Sequence, residues 1–432
     1  MIFAGRRKSG RLDLEAVEMA TRAALHRAGA AVLKELLATQ GEPARQVPCG
    51  CGQAAHHRGR RRKQLLTVLG RVETERPYYV CPACHRGQSP RDRELEVEGT
   101  EYSPGVRRMM AVVGSETAFE QGREQLQLLA GLEVTTKAVE RQAEALGAEI
   151  AAQEQAEIQQ GLQLELPQVG GPEIPVLYVE MDGTGVPMVA AETQGHAGKQ
   201  SEQARTREVK LGCVFTQTSV DARGRPVREE GSTTYTGAIE TAEAFGRRLY
   251  VEAQRRGWNR ARKKAVLGDG APWIWNLTEE HFPGATQIVD LYHARQHLWE
   301  LSGKLWPTEE RRRQRWTRKA EKKLDGGRIE ALLRDLRSLP ASTPEAAELV
   351  RHAAEYFAAN AHRMRYPAFR RQHLFVGSGV VEAGCKTLIG SRLKRSGMFW
   401  RVRGANAIIA LRCHRLSGKF EDYWQNRRPR AA

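Results

Sequence analysis

Hydrophobic and polar positions change rhythm several times along this chain. From 11 to 41, Leu12, Leu14, Val17, Ala24, Leu25, Ala28, Leu33 and Leu36 recur at helical spacing and predict one amphipathic helix stopped by Gly41. Residues 43–100 carry two short β-like runs, LLTVLGRV and PYYV, in a Cys-, Gly- and Arg-rich setting. Helical spacing returns from Pro104 to about Gly161, with a break near Gly131. The Gly/Pro-rich joint PQVGGPEIP at 167–175 marks a boundary. Beyond it, strand-like runs appear at 174–181, 207–217, 233–237, 265–268 and 286–291, with helices expected at about 239–256 and 272–282. From 292 to 373 the pattern is helical and basic, too long for a loop. Three strands, a helix, then alternating strands is the order of a ribonuclease-H-like sheet.

The expected fold is therefore multidomain α+β. An N-terminal helix (1–42), a zinc-ribbon-like domain (43–100) and a helical region (101–166) precede a ribonuclease-H-like mixed-sheet core (172–291). An all-helical insertion (292–373) interrupts that core, and C-terminal helices (374–425) complete it. The tail QNRRPRAA is expected to fray, and MIFAGRRKSG is compatible with a secondary initiation point.

Charge adds a partner. The net charge is +17, and residues 301–432 carry all of it, with 29 Lys/Arg against 12 Asp/Glu; the first 300 balance at 39 each. A basic face beside an acid site implies a polyanion held by phosphate contacts. One isolated run such as Arg311-Arg312-Arg313 is as readily a solvated surface. No apolar run approaches the ~20 residues that span a bilayer, and no signal-peptide core opens the chain. Seven cysteines in two close pairs plus three singles argue for metal ligation in a reducing cytosol rather than a disulfide framework.

Three acids carry the candidate chemistry. Asp182 in VEMDGTG and Asp269 in VLGDGAP each end an apolar run at a glycine, and Glu382 lies one turn inside a basic helix for which Ser378 is the expected N-cap. One Asp before a Gly is usually only a turn residue. Three acids at such positions can hold two divalent cations, Mg²⁺ or Mn²⁺, for phosphodiester cleavage and joining. Glu180 shares the face of Asp182 and is the runner-up ligand. Asp290 and His293 follow the fifth strand-like run; Asp290 either neighbours Asp269 or caps the helix bearing His293 and His297.

VEMDGTGV, LGDGAPWIW, VDLYHARQHLW and VVEAGCKTLIGSRLKRSGMFWRVRGANAIIALR resemble the DDE transposases of bacterial insertion sequences, close to the ISKra type and its Mutator-like relatives. The resemblance covers about 45–425 and implies that Asp182, Asp269 and Glu382 are the catalytic acids. It implies that Asp290 and His293 are the supporting Asp-x-x-His, and that 292–373 is the helical insertion. It further implies double-stranded DNA as partner (terminal inverted repeats and target), assembly of several copies on the ends, and a bacterial cytoplasm with nucleoid association. Lys386, Arg392, Lys394, Arg395, Arg401 and Arg403, with Trp400 among them, suit DNA, although a buried Trp400 anchoring the C-terminal helix is equally consistent. Asn406 is a further candidate phosphate contact.

Cys49-x-Cys51 and Cys81-x-x-Cys84 form a zinc-ribbon layout for a structural Zn²⁺. The first pair has one intervening residue where ribbons use two, so His56, His57 or His85 can substitute for Cys51. Arg58, Arg60, Arg61, Arg62 and Lys63 project from the same unit toward a DNA backbone. Residues 117–146 read either as helix-turn-helix, with Thr135 capping a second helix that bears Lys137 and Arg141, or as a plain helical hairpin. Two rivals to a transposase remain: a ribonuclease-H-like nuclease without strand transfer, and a non-catalytic DNA-binding relic.

Overall fold

The computed structural model describes residues 7–8, 11–38, 41–163, 170–196, 204–341 and 343–427. Two compact units emerge, Met1–Leu146 with Glu421–Ala432, and Gly147–Phe420. Most of MIFAGRRKSG and the last five residues lie outside the described residues.

In the first unit, β1 (Arg7–Lys8) and β2 (Arg11–Leu12) pair antiparallel before α1 (Leu14–Ala38). Asp13 caps α1 by accepting the Ala16 N–H at 3.2 Å. The helix is where the pattern placed it, but its buried face is narrow. Only Ala20 is deeply buried, while Leu14, Leu25 and Leu36 are about two-thirds exposed. β3 (Gln46–Pro48), β4 (Ala54–Thr67), β5 (Gly70–Val80) and β6 (Gly87–Gln88) form an antiparallel sheet in chain order. The run LLTVLGRV is thus a hairpin turn rather than one strand: Thr67 pairs Gly70, and Gly70 takes φ +113°. Short α2 (Pro90–Glu94) leads to α3 (Pro104–Glu116) and α4 (Phe119–Gln125). A π-turn, Leu126–Ala130, extends α4 to Gly131 at φ +67°, and α5 (Thr136–Leu162) starts beyond it. Thr135 caps α5, accepting the Ala138 N–H at 3.1 Å. Leu66, Val106, Met110, Leu126, Leu132 and Val139 pack as one cluster among these elements.

The second unit is built on β7 (Ile174–Pro187), β8 (Thr206–Val220), β9 (Pro226–Arg228), β10 (Thr234–Ala238), β11 (Ala261–Gly268) and β12 (Thr286–Val289). Their order is β10-β8-β7-β11-β12, with β9 on β8. β7, β8 and β10 are antiparallel, whereas β11 joins β7, and β12 joins β11, in parallel. Helices on both faces explain the unbroken burial of Val176, Leu177, Tyr178, Val179, Glu180 and Met181. α6 (Ala242–Arg255) lies over the Gly212 side, where an added Cβ would strike Leu249. α7 (Pro272–His281) joins β11 to β12.

An all-helical segment follows: α8 (Leu291–Leu305), α9 (Glu310–Asp325), α10 (Ile329–Arg337), α11 (Pro344–Ala359) and α12 (Tyr366–Arg371). α8 and α9 make an antiparallel pair, fixed by Arg295–Asp325, by Trp299 Nε1 donating to Glu321 at 2.9 Å, and by Thr317 Oγ1 donating to Ser302 Oγ at 2.8 Å. α13 (Gly379–Gly384) then returns to the sheet on the Leu211 side, opposite α6, because an added Cβ at Gly384 would meet Tyr235 and Leu211. A π-turn, Cys385–Gly390, and α14 (Ser391–Leu393) continue it, before α15 (Val402–Leu416). The last helix, α16 (Phe420–Asn426), belongs almost wholly to the first unit.

Candidate functional site

The carboxylates gather by strand parity. Directly opposed residues in a sheet share a face, so Asp182 opposite Leu211 and Glu180 opposite Cys213 point to the α13 side. β11 aligns Leu267 with Glu180, and Asp269, two residues on, follows the same parity at the adjacent strand end. Asp182 does not end its strand as the sequence implied. β11 leaves β7 at Glu180, but β8 stays paired with β7 through Pro187. Gly183 and Gly185 therefore serve close cross-strand approach rather than a stop, since a Cβ would meet Glu208 at 2.7 Å and Thr206 at 3.0 Å. Asp182 sits where the sheet narrows.

Two buried acids fix the helix bearing Glu382. Glu180 accepts the Val381 N–H at 2.8 Å, taking the N-terminal role predicted for Ser378, whose side chain makes no cap bond. Ser378 Oγ instead donates to Asp290 Oδ2 at 2.9 Å and lies 3.4 Å from Glu382 Oε1. Asp290 also accepts the Ser378 and His293 N–H groups, the latter at 2.6 Å, and is fully buried. Its oxygens are thus committed to capping α8 and tying it to α13, and the register Gly268↔Val289 also sets it at the strand end next to that of Asp269, so the two readings of Asp290 hold together.

Electrostatics tie the half-buried groups together. Burial raises the Asp182 carboxyl above its ordinary value; hydrogen bonds from Cys385 and the Gly183 N–H oppose this, the Asp269 charge adds to it, and the His293 charge lowers it. A carboxyl raised by a neighbouring acid's charge suits a cation between the two. Asp269 accepts the Ala271 N–H at 2.8 Å, and its carbonyl accepts Tyr356 Oη at 3.0 Å. Gly270, at φ +97°, lies against that Tyr356 ring, where a Cβ would sit 2.7 Å away. His297 lies at a tilt on Tyr356 at 4.1 Å and meets His293 edge-to-face at 4.8 Å; burial lowers its basicity, and His293 lowers it further. Sequence reasoning missed Cys385 and Tyr356. Cys385 was visible one turn after Glu382, whereas nothing local to Tyr356 announces a contact 87 residues away.

A second cluster is tighter. The Sγ atoms of Cys49, Cys51, Cys81 and Cys84 all lie within 4.8 Å of one another, with Cys49–Cys84 at 3.5 Å and Cys51–Cys81 at 3.6 Å. Tetrahedral zinc with Zn–S near 2.3 Å needs sulfurs about 3.8 Å apart, so these four fit it. The one-residue spacing is accommodated by a turn in which Gly52 N–H donates to the Cys49 carbonyl at 2.9 Å. Cys51 itself completes the set, and no histidine is needed. The thiols share protons unevenly. The Cys84 N–H is the leading cause that brings Cys81 down to about 7. At Cys51, a hydrogen bond from Gln53 is outweighed by the neighbouring sulfurs, which push it up to about 12. Among the described residues, no group of three carboxylates or histidines is drawn into so small a sphere. Asp182 and Asp269 follow one parity at neighbouring strands, the helix bearing Glu382 is bound to that face, and the three do not close on one point.

A family model described as "Uncharacterised protein family (UPF0236)" matches residues 53–427. The chain belongs to this family. A UPF0236 protein in the vanSb 3′ region of Streptococcus gallolyticus is 24% identical over 376 residues, covering 85% of this chain and 75% of that protein. A solved Drosophila P element transposase strand transfer complex aligns over 78% of this chain and 84% of its own at 10% identity, with a TM-score of 0.24. That score is too low to indicate a shared fold.

The UPF0236 chain places the remaining candidates unequally. Arg58, Arg60, Arg61 and Arg62 are exposed on β4, although Arg61 stacks on Tyr78 and Arg62 faces Glu73 and Glu75. Lys63 is half-buried against Asp92 at 3.2 Å and does not project. Lys137 is paired with Glu140 at 2.6 Å, beside an exposed Arg141. Lys386, Lys394, Arg401 and Arg403 are exposed, Arg395 is half-buried, and Lys394 reaches Thr184 beside Asp182. Arg392 and Trp400 are buried against each other at 5.0 Å, with Trp400 Nε1 donating to the Leu393 carbonyl at 3.0 Å. They anchor the chain after α14 and offer nothing to DNA. Asn406 likewise spends its amide on Ile239, accepting its N–H at 2.8 Å.

Proposed function

We propose that this chain is a metal-dependent DDE transposase with a ribonuclease-H-like core, acting on the DNA ends of a bacterial insertion sequence. The observation that carries the reading is the placement of Asp182 and Asp269 at the ends of adjacent parallel pairing, with the Glu382 helix bound to the same sheet face through Glu180. The strand order β10-β8-β7-β11-β12, with its antiparallel half and parallel half, is the order a ribonuclease-H-like sheet requires.

Magnesium takes one or two carboxylates and completes its octahedron with water and substrate phosphate. Acids that do not close on one point suit that division. Asp182, Asp269 and Glu382 would hold two Mg²⁺ or Mn²⁺ ions. Such ions supply Lewis acidity for in-line attack on phosphorus and for the leaving 3′ oxygen. Glu180 and Asp290 set the height of α13 over the sheet, and Tyr356 steadies the Asp269 loop. His293, whose charge acts on the Asp182 carboxyl, would hydrogen-bond a phosphate. Lys386, Lys394, Arg401 and Arg403 hold the DNA backbone around the acids. The Cys₄ cluster carries structural Zn²⁺, and β4 with α4–α5 meets the terminal repeats. The resemblance to ISKra-type and Mutator-like enzymes supports joining as well as cutting. It also supports assembly of several copies on the ends and a cytoplasmic, nucleoid-associated setting.

The test is a labelled duplex carrying the repeat that flanks the coding region, incubated with and without Mg²⁺ beside Asp269→Ala. A Mg²⁺-dependent nick leaving 3′-OH at the repeat boundary, lost in the variant, is expected, followed by joining to a second duplex. Nicking without joining would indicate a nuclease. Binding without nicking would indicate a relic.

A further inference from the structure

The helical segment contains a row of cations that no role above uses. On α9, Arg311, Arg315, Arg318 and Lys322 are exposed and recur at steps of four, three and four residues, so they share one face. Among the described residues, none of the four pairs with an acid. The acids nearby are engaged elsewhere: Glu309 with Arg312 at 3.2 Å, Glu310 with Gln314 at 2.8 Å, Glu321 with Trp299, and Asp325 with Arg295. Lys323, turned inward, pairs with Asp335. Four free cations therefore line the solvent side of the helix with exposed Lys319 on their flank, while Arg313, its buried Nε unpartnered, lies on the side of Thr317.

The row also has a direction. Because α8 and α9 are antiparallel, Lys322 lies at the end of α9 where Asp325 meets Arg295, and Arg295 is two residues from His293. Arg311 marks the far end. Eleven residues of helix span about 16 Å, which matches roughly five steps of a nucleic-acid strand at about 3.4 Å each. Three of the four cations are arginines, whose forks suit phosphate. The opposite face of α9 buries Thr317, Ala320 and Leu324, leaving no apolar stripe for a membrane surface.

We infer that this face of α9 is a phosphate-tracking site, along which the backbone of a DNA duplex runs outward from the carboxylate edge. The inference rests on the proposed DNA-directed function and adds a binding surface within the helical segment. The duplex would be gripped at two places, by the basic loop after α14 near the acids and by α9 farther out.

The experiment measures binding of the full-length protein to a labelled duplex by fluorescence anisotropy across a salt series, without Mg²⁺. Wild type is compared with Arg311→Gln/Arg315→Gln/Arg318→Gln/Lys322→Gln. Each lost phosphate contact lowers the slope of log K against log salt by about 0.9, so a drop of roughly 3 to 4 is expected. Replacing the three arginines by lysine should keep the slope. Arg351→Gln, at a cation already paired with Glu348 and Glu355, should also leave it unchanged. An unaltered slope in the quadruple variant, with an unchanged thermal melt, overturns the site. Equal loss of binding to poly-glutamate at the same salt also overturns it, in favour of an acidic protein partner. The nicking assay is read separately. A reduced slope with no nicking in wild type leaves the α9 site standing and removes the transposase reading; nicking with an unaltered slope does the reverse.

Discussion

Glu180→Gln measures what a buried acid costs this core. Glu180 has no exposure; its Oε2 receives the Val381 N–H, and its Oε1 has no hydrogen-bond partner among the described residues. Burial pushes its carboxyl from an ordinary 4.5 up to about 8, with the Val381 N–H opposing the rise and the Asp290 charge adding to it. The folded value is the higher one, so between about 4.5 and 8 the folded chain keeps a proton that the unfolded chain has released. Stability from this group is full below the unfolded value, falls through that window, and is flat above it. The slope is about 1.4 kcal/mol per pH unit, which gives on the order of 5 kcal/mol at most across the window. Glutamine keeps an acceptor for Val381 and does not ionise, so it escapes the loss. Urea unfolding in Mg²⁺-free buffer at about pH 5 and about pH 8 provides the assay. The variant should match or slightly trail wild type at the lower pH and exceed it at the higher. A difference that stays constant with pH would refute a protonated, buried Glu180.

Cys84→Ser should abolish bound zinc, expected at one per chain in wild type, as read by metal analysis of the purified protein; full retention would exclude the four-sulfur site. Gly147→Ala should destabilise the second unit by roughly 1–3 kcal/mol, because an added Cβ would overlap the Ala407 carbonyl where α5 meets α15. Calorimetry reads this as a lower Tm, and an unchanged Tm would mean the helices do not cross so closely. Asn406→Ala should cost about 1–3 kcal/mol by orphaning Ile239 while leaving DNA affinity intact. Weaker DNA binding at constant Tm would instead return Asn406 to a phosphate role.

Asp182 and Asp269 were legible as candidates because each precedes a glycine at the close of an apolar run, whereas Glu382, followed by alanine, was read from its basic helix and from the resemblance. What Asp182 does there was misread: a glycine that permits cross-strand contact with Glu208 and Thr206 looks, in sequence, like a glycine that ends a strand. Arg392 and Arg395 are three residues apart in one basic run, yet only Arg392 is sealed against Trp400, and no local pattern separates them. That Asp290 neighbours Asp269 and can cap α8 is readable locally, but not that Ser378, 88 residues away, takes its second oxygen. The cysteine spacing pointed to a four-ligand site but left Cys51 open to replacement by a histidine, because only the turn at Gly52 shows how the fourth sulfur is brought in. α1 shows the reverse, since helical spacing establishes a helix but not which stripe another element will cover.

The π-turn at Cys385–Gly390 has a consequence for how this region tolerates change in length. Such a turn holds one residue more than regular α-helical bonding would. Removing a single residue between 385 and 390 would let the segment relax into continuous α-helix. Glu382, secured upstream by Glu180 and Ser378, would keep its place. Everything downstream would keep nearly its present direction, because the wider turn already absorbs the roughly 100° that one extra residue adds, so Arg392 would stay on Trp400 and Lys394 beside Thr184. The wider turn thus acts as a phase buffer, letting the segment between the acid and the basic loop shorten by one codon while both keep their aim.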